Sequence, residues 1–235
     1  MFLGNGIKLK SRVLSTFALT DISSLKAWYK NKEGVTVDGS GNITTWADSS
    51  LNSSENMDVV PPSSDNLTGY VASTGAAVFS QANKSYLATA SDQLNLGAMT
   101  AMFVIDFDET VSLTNEVVIG RLANDTVRYF RGASTIRVGF RANGVISDMN
   151  NVTSAIPTSK FLVTVIRLSN GNVLLRHNQL QVESTTSTIT DLFDFTGFSQ
   201  GTLDASIFEC AIFNDALTGT DLTNAENDIK SRNGL

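Results

Sequence analysis

Alternating apolar and polar positions run through much of the chain. In TAMFVIDFDE (100–109) Ala101, Phe103, Ile105 and Phe107 fall on one face, and Met102, Val104, Asp106 and Asp108 fall on the other. In STIRVGFRA (134–142) the even positions from 136 to 140 are apolar. FLVTVIRL (161–168) and NVLLRHNQLQVE (172–183) continue the pattern. A period of two residues is typical of β-strands with one buried face.

Clusters of Gly, Asn, Asp and Ser separate these segments, which predicts an all-β, two-sheet antiparallel sandwich rather than an α/β fold. The run ASIFECAIF (205–213) lacks simple alternation, but its β-branched and aromatic residues predict a buried strand. Cys210, in that run, is the only cysteine, so we expect a buried thiol and no intrachain disulfide.

Helical signals occur in two places. Asp21 can cap a short turn over ISSLKAW. Near the end of the sequence, Thr218 or Thr220 can cap a helix that Gly234 is placed to end. The apolar face of this predicted helix consists of Leu222, Ala225 and Ile229. Its last turn carries Lys230 and Arg232, whose charges suit the helix dipole.

Composition indicates one large domain with an uneven charge distribution. The chain has 235 residues, 42% hydrophobic and 17% charged, which suffices for a single β-sandwich core. Residues 1–32 carry six basic residues and one acid, a net charge of +5. Because the net charge of the whole chain is −6, residues 33–235 carry −11. We interpret residues 1–19, with Lys8, Lys10 and Arg12, as a basic arm and residues 20–235 as the folded domain. Such an arm suits docking onto an acidic neighbour, including another copy of the domain; a solvated tail is the alternative.

The polar loop DGSGN (38–42) lies between two segments that each contain a Trp. It has three possible interpretations: a calcium loop, part of a catalytic site, or a hairpin turn. An EF-hand loop from Asp38 needs Gly at its sixth position and Glu at its twelfth, but Ile43 and Ser49 stand there. The β-rich flanks of VTVDGSGNITTWA instead predict a hairpin. We then predict that Trp28 and Trp46 anchor the core; the alternative is that their rings stack against a sugar.

Several segments resemble the laminin-G-like, concanavalin A-like jelly-roll domains. DISSLKAWYKNKEGVTVDGSGNITTWADSSLN is similar to the family opening, a turn followed by a Gly-rich hairpin and a W-x-D-x-S-G-N element. That element is here Trp46, Asp48, Ser50 and Asn52, with Leu51 where the family often has Gly. NVLLRHNQLQVE resembles a family hairpin, with Asn178 and Gln179 in place of Asn-Gly. ECAIFNDALTGTDLTNAENDIKSRNGL resembles the last strand and C-terminal helix. The resemblance covers roughly residues 20–235 and implies a two-sheet jelly roll.

That resemblance leaves the function open among glycan binders, adhesion modules, glucanase relatives and virion structural parts. Glucanase relatives carry carboxylates as E-x-D-x-E, and the nearest counterpart here is Asp106 and Asp108 in IDFDE, without the leading Glu. His177 is the only histidine, beside the predicted Asn178–Gln179 turn, where we expect an exposed residue without a special role. No nucleophile elbow or nucleotide-binding motif occurs, so we predict no enzymatic activity. Calcium binding through backbone carbonyls and Asp, as in many laminin-G-like domains, stays open, with no ligands that the sequence identifies.

Arginine is concentrated in the middle of the chain. Arg121, Arg128, Arg131, Arg137 and Arg141 are five of the nine arginines, and Tyr129 and Phe130 lie among them. Arg is favoured over Lys where planar bidentate or stacked contacts form. We therefore take these arginines and Tyr129 as contact candidates for an acidic partner or a glycan, with internal pairing to Asp106, Asp108 or Glu116 as the alternative. The acidic body, with a sequence pI of about 4.7, argues against nucleic acid.

The leading hypothesis from the sequence is a non-enzymatic virion protein of a bacteriophage, a capsid decoration or a tail or fibre component. It would assemble in the host cytoplasm, bind other virion proteins and copies of itself through the arm, and contact no membrane. The first alternative is a carbohydrate-binding adhesion module for a host-surface glycan, and the second is a glycoside hydrolase.

Overall fold

The computed structural model describes residues 17–51, 54–90, 92–108, 116–121, 125–131, 136–152, 157–185 and 189–235, with side chains for all but 121, 130, 131, 136, 137 and 145–152. The strands of the first half are β1 (Leu25–Tyr29), β2 (Val35–Val37), β3 (Ile43–Trp46), β4 (Val59–Val60), β5 (Gly69–Val71), β6 (Ala76–Phe79), β7 (Tyr86–Thr89), β8 (Leu94–Leu96) and β9 (Met99–Phe107). The next strands are β10 (Glu116–Arg121), β11 (Asp125–Arg131), β12 (Ile136–Ala142), β13 (Val145–Val152) and β14 (Phe161–Arg167). The last elements are β15 (Val173–His177), β16 (Leu180–Thr185), β17 (Phe193–Phe195), β18 (Gly197–Ser199), β19 (Ala205–Phe213) and helix α1 (Gly219–Asn233).

Two large antiparallel sheets form the body, as the alternation predicts. The back sheet has the order β16-β15-β14-β9-β19-β6-β5, and β1 also pairs with β19. The front sheet has the order β13-β12-β11-β10-β18-β7-β4-β3-β2, and β8 pairs with β17 separately. Helix α1 packs on the outer side of the back sheet, against β14, β19 and β9. The predicted sandwich with a C-terminal helix is therefore confirmed.

The main core fills the space between the sheets. Tyr29, Trp46 and Phe198 meet there, with ring centroids 5.0 to 6.0 Å apart. Trp46 is 1% exposed, and Trp28 is buried in a second apolar cluster beneath α1. The prediction that both tryptophans are core anchors is confirmed.

Strand β9 departs from the half-buried pattern that its alternation predicts. Its odd positions, from Ala101 to Phe107, face the main core, as expected. The opposite face is also covered, because Met102 and Val104 pack in the cluster under α1. Strand β9 lies between the opposite sheet and helix α1, so both of its faces are buried. Of its residues, only Asp106, near the end of the strand, is partly exposed.

A β-bulge explains the irregular pattern of β19. The pairing register with β9 shifts between Ile207 and Glu209. Ile207 and Cys210 therefore face the main core, whereas Phe208 lies in the cluster under α1. The bulge places the Glu209 carboxylate on the helix side of the sheet, where it is fully buried.

Local predictions near the chain ends had mixed outcomes. Helix α1 follows Thr218 and ends at Gly234, whose φ of 66° is the left-handed conformation that glycine adopts without strain. The predicted helical turn over ISSLKAW is wrong, because residues 25–29 form β1. Asp21 instead ends a short 3-10 turn, and its carboxylate accepts a hydrogen bond from the Ala18 N–H at 2.9 Å.

The opening loop is a hairpin turn, as predicted. Strands β2 and β3 pair, and the Asp38 N–H donates to the Asn42 carbonyl at 2.8 Å. The Asp38 carboxylate accepts hydrogen bonds from the N–H groups of Ser40 and Asn42. The Asn42 side-chain amide also donates to this carboxylate, at 3.1 Å, and has the largest effect on it. Together these hydrogen bonds lower the pKa of Asp38, and its carboxylate stabilises the turn.

The W-x-D-x-S element joins the first strand to the loop after β3. Asp48 Oδ1 accepts hydrogen bonds from the N–H of Trp28 at 2.7 Å and of Ser50 at 2.8 Å, and its Oδ2 contacts the Ser50 hydroxyl at 2.8 Å. Ser50 Oγ also reaches the Lys26 carbonyl at 2.9 Å. Burial raises the pKa of Asp48, and the nearby Asp58 adds to this effect.

The second predicted hairpin is confirmed, but its histidine is not exposed. Asn178 and Gln179 have φ of 48° and 76°, as a two-residue hairpin turn requires. His177 is only 5% exposed; its ring stacks on Tyr129, and Nε2 lies 3.1 Å from the Tyr129 hydroxyl. The expectation of an exposed His177 is wrong because β15 directs this side chain into the sandwich. Burial lowers the pKa of His177 to about 4.

Replacing Asp48 should separate its acceptor role from its charge. Asp48→Ala removes the acceptor from two backbone N–H groups and should cost about 2 kcal/mol of unfolding free energy. Asp48→Asn keeps an Oδ1 acceptor in place and should cost less than half as much. Urea unfolding of the two variants measures the difference. Equal losses would mean that the hydrogen bonds of Oδ1 do not hold this junction.

His177 should make folding sensitive to acid. The neutral ring is favoured in the folded state, so its stabilising contribution is complete above the unfolded pKa of about 6.5 and is lost as the pH falls towards 4. Between pH 7 and pH 4.5 the wild type should lose about 2 kcal/mol more than His177→Gln. Urea unfolding at both pH values measures this, and the carboxylates shared by the two proteins cancel. Parallel losses in the two proteins would contradict the buried neutral ring.

Candidate functional site

The arginine-rich segment is brought together by strand pairing, and its role as a contact surface stays a prediction. In the register of β11 and β12, Arg128 lies opposite Gly139 and Arg141 opposite Thr126. Arg128 is 7% exposed, and Tyr129 is fully buried against His177. Arg128 and Arg141 each have an interaction partner. The side chains of Arg121, Arg131 and Arg137 lie outside the described part of the chain, as do all atoms of Lys8, Lys10 and Arg12.

The two acids of IDFDE occupy different surroundings. Asp106 lies on the helix side of β9 and lines a cleft at the end of α1. Asp108 is exposed beyond the strand, and its N–H donates to the Asp204 carbonyl at 3.0 Å. Within the described ranges, no group of three or more His, Cys, Asp or Glu residues lies close enough to hold a metal ion. In the same ranges, no helix is long and apolar enough to cross a membrane.

A shallow groove of about 460 Å³ lies on the outer face of the front sheet. We call it the front groove; it is lined by Tyr86, Ala88, Thr89, Ala90, Asp92, Gln93, Thr196 and Gln200. Strand β7 supplies Tyr86, Ala88 and Thr89, and it pairs with β18, whose flanking residues Thr196 and Gln200 also line the groove. Leu87 faces the main core, so alternation turns Tyr86 outward.

The lining residues that follow Tyr86 have short side chains: Ala88, Thr89 and Ala90. Gly197 has a different role, because it lets β18 lie close to the backbone of β7. At Gly197, with φ of 129°, an added Cβ would meet the Leu87 carbonyl oxygen at 2.1 Å, so only glycine fits. Ala88, its partner in the register, adds one methyl group. Tyr86 therefore stands beside a floor of small residues, and its ring is partly exposed.

The polar groups of the front groove suit hydrogen bonding to a ligand with many hydroxyls. Gln93 makes one long contact, 3.5 Å to Asn95 Oδ1, so most of its amide capacity is unused in the described structure. Asp92 Oδ2 accepts from the Asn56 N–H at 2.9 Å and keeps further lone pairs. Among the described residues lining the groove, Asp92 is the only carboxylate. Glycoside hydrolysis ordinarily uses two carboxylates about 5 to 10 Å apart, and the described lining residues do not include such a pair.

A second depression, the helix-end cleft, lies where α1 stops on the back sheet and has a volume of about 740 Å³. It is lined by Asn31, Lys32, Glu33, Thr74, Asp106, Lys160, Phe208, Arg232, Asn233 and Gly234. Its wall is built around the buried carboxylate of Glu209. Arg232 donates to Glu209 Oε1 through Nε at 3.0 Å and Nη2 at 2.7 Å. Trp28 Nε1 donates to the same oxygen at 2.8 Å, and Asn233 Nδ2 donates to Oε2 at 2.6 Å.

This network fixes the charge and position of Arg232. Its guanidinium lies 4.8 Å above the Trp28 ring and also pairs with Asp228. Burial alone would lower the pKa of Arg232, but the charges and hydrogen bonds of Glu209 and Asp228 outweigh that effect and raise it. A second buried acid, Glu226, binds Arg176 and the Thr164 hydroxyl at 2.8 and 2.9 Å. Two buried ion pairs thus hold α1 on the sheet.

Neither Tyr86 nor Glu209 was singled out from the sequence. Glu209 did carry a signal, since an acid within the apolar run SIFECAIF has to find partners when the strand is buried. Those partners are not neighbours in sequence: Trp28 lies 181 residues from Glu209, and Arg232 and Asn233 lie 23 and 24 residues from it. Tyr86 carried no comparable signal, because its outward position depends on the β7–β18 register.

No protein-family model and no curated protein sequence matches the chain. Solved structures do match. Domain 4 of AbnA, a GH43 extracellular arabinanase from Geobacillus stearothermophilus, in complex with arabinotriose, aligns with a TM-score of 0.55 and 14% identity over 89% of this chain and 98% of that domain.

Toxin binding domains also share the fold. The botulinum neurotoxin serotype C1 binding domain aligns with a TM-score of 0.61 and 13% identity over 90% of this chain and 53% of that one. The serotype D ligand binding domain in complex with N-acetylneuraminic acid aligns with a TM-score of 0.60 and 14% identity, over 92% of this chain and 52% of that one. The chain thus spans about half the length of these toxin domains. At such identities the likeness concerns the fold, and the chain is an antiparallel β-sandwich of the jelly-roll class.

Proposed function

We propose that this protein is a non-catalytic carbohydrate-binding module and that the front groove is its binding site. The observation that carries the proposal is Tyr86, an outward aromatic side chain over a floor of small residues, with amide, hydroxyl and carboxylate groups around it. The match to the arabinotriose-bound domain over nearly its whole length supports the assignment.

The chemistry of the groove fits a sugar ring. An aromatic ring offers an apolar face to the C–H groups of a pyranose or furanose, and its polar tip stays in water. Gln93 and Asp92 supply donors and acceptors at the rim for ring hydroxyls. A few hydrogen bonds around one aromatic face give selective binding without changing any bond in the ligand.

The same features disfavour the hydrolase alternative. Asp92 has no second carboxylate beside it among the described lining residues, and Asp106 lies in the cleft on the other sheet. The two toxin structures described above are binding domains, and the arabinanase domain was solved with a bound oligosaccharide, arabinotriose. The chain therefore resembles the parts of larger proteins that attach to a ligand rather than those that process it.

The finer hypothesis is that a bacteriophage particle carries this module, anchored through the basic arm, with a host-surface glycan as the ligand. Its support is the sequence resemblance and the net charge of +5 in residues 1–32 against −11 in the remainder. Binding a glycan and joining a particle are compatible roles for one domain. Localisation to a virion is thus a proposal about where the module works.

Replacing Tyr86 should weaken glycan binding and leave the fold intact. The wild type should bind a limited set of oligosaccharides on a glycan array, and Tyr86→Ala should weaken the best of these about tenfold or more. Tyr86→Phe keeps the ring face and should lose less. Leu180→Ala, at an exposed hairpin residue of the back sheet, is the matched surface control. Unchanged affinity in Tyr86→Ala would remove the front groove from consideration.

Truncation tests the basic arm. Deleting residues 1–16 removes Lys8, Lys10 and Arg12 but keeps Phe17 and Leu19, which belong to the apolar cluster under α1. If the arm docks onto another copy, light scattering should show a full-length oligomer and a truncated monomer with unchanged thermal unfolding. The same mass per particle for both proteins would contradict self-association through the arm.

A further inference from the structure

A smaller depression adjoins the front groove at Gln93, which lines both. We call it the strand-edge depression; it has a volume of about 240 Å³ and is lined by residues 93–96, Lys26, Glu55 and Asn214. The chain itself connects the two sites, because only residues 90–93 separate β7, which supplies Tyr86, from β8. A polar lining therefore extends from the front groove to the end of β19, where Asn214 lies.

Strand β8 offers this depression an edge that pairs with no other strand in the described ranges. On its opposite side it pairs with β17, in a separate two-stranded sheet. The side chains of Leu94 and Leu96 are buried in the main core, so these residues reach the depression mainly through their main chain. Even with the Leu96 carbonyl engaged by Arg167 Nη1 at 3.3 Å, an unpaired edge keeps N–H and C=O groups in fixed positions, where sugar hydroxyls can bind them.

Two asparagine side chains line the same depression. Asn95 is the exposed residue of β8, and its Oδ1 accepts a long hydrogen bond from Gln93 Nε2 at 3.5 Å. Asn214 is also exposed, and its main-chain N–H donates to the Ser24 carbonyl at 2.9 Å. Among the described residues, Asn95 Nδ2 and the side-chain amide of Asn214 have no hydrogen-bond partner. These amides can therefore both donate to and accept from sugar hydroxyls.

The charges around the two sites do not favour an anion. Lys26 and Glu55 in the strand-edge depression have opposite signs, and Glu55 already has an interaction partner. The front groove adds Asp92 and, among its described lining residues, no cation. The described lining of both sites thus carries one positive and two negative charges, which suits a neutral sugar better than an acidic one.

We infer that the ligand is a neutral oligosaccharide that spans both sites. One sugar stacks on Tyr86 in the front groove, and the following sugar binds at the edge of β8, with Gln93 between the two. This inference rests on the proposed function and adds to it the length and the charge of the ligand. A monosaccharide reaches one site, whereas linked sugars reach both and lose their translational freedom only once. The affinity therefore increases with chain length.

NMR titration with a size series, which also measures millimolar affinities, tests the inference. The probes are the oligosaccharide that binds best on the glycan array and its fragments, shortened one sugar at a time from each end down to the monosaccharides. The wild type should bind the oligosaccharide about tenfold or more tightly than any of these monosaccharides. Equal affinity across the series would overturn the inference, and so would a best array ligand that carries an acidic sugar.

Variants assign the following sugar to the strand-edge depression. Asn95→Ala and Asn214→Ala should each weaken oligosaccharide binding about threefold or more. Both should leave unchanged the binding of the monosaccharide that depends on Tyr86, because that sugar does not reach the depression. Both residues are exposed, so thermal unfolding should also be unchanged. Gln181→Ala removes an exposed amide from β16, at the far edge of the back sheet, and is the matched control.

The variants also separate this inference from the proposed function. Tyr86→Ala should weaken the binding of the oligosaccharide and of the monosaccharide alike. If it does so, but neither Asn95→Ala nor Asn214→Ala affects the oligosaccharide, the inference is overturned and the proposed function stands. If Tyr86→Ala has no effect, or if the array shows no bound glycan, the proposed function is overturned and this inference with it.

Discussion

The buried carboxylate of Glu209 is the constraint on which much of this molecule depends. It lies in β19, a central strand of the back sheet, and it is fully buried. An unpaired charge there would cost several kcal/mol, so the fold has to bring compensating groups to it. Trp28 comes from the first strand, and Arg232 and Asn233 come from the end of the helix. One carboxylate therefore ties both ends of the folded domain to its centre.

That tie also shapes the two faces of the sandwich differently. On the back sheet, the Glu209 and Glu226 ion pairs hold α1 over the strands, and the end of the helix leaves a charged cleft with fixed walls. The front sheet carries no helix in the described ranges, and its outer surface offers Tyr86 above small residues. The helix therefore gives the two faces their different character, because it leaves a charged cleft where it ends on the back sheet and leaves the front groove on the other sheet.

The sequence predicts the local features of this structure well. Period-two alternation identifies β9 and β14, the turn residues place both hairpins, and Gly234 ends the helix, because each of these signals acts between near neighbours. It does not predict the bulge that turns Glu209 towards the helix, because the bulge depends on the register with β9. It also missed the burial of His177 and the outward position of Tyr86. Both depend on which distant strands pair, and a single sequence does not contain that information.

The central claim is that the domain binds carbohydrate at the front groove without processing it. The most direct measurement is one NMR titration with the best array ligand that follows both the protein amides and the anomeric signals of the sugar. The account predicts shifts centred on residues 86–93 and 196–200, with anomeric signals that stay unchanged over days. Shifts located elsewhere on the domain, or new reducing-end signals from cleavage, would contradict it.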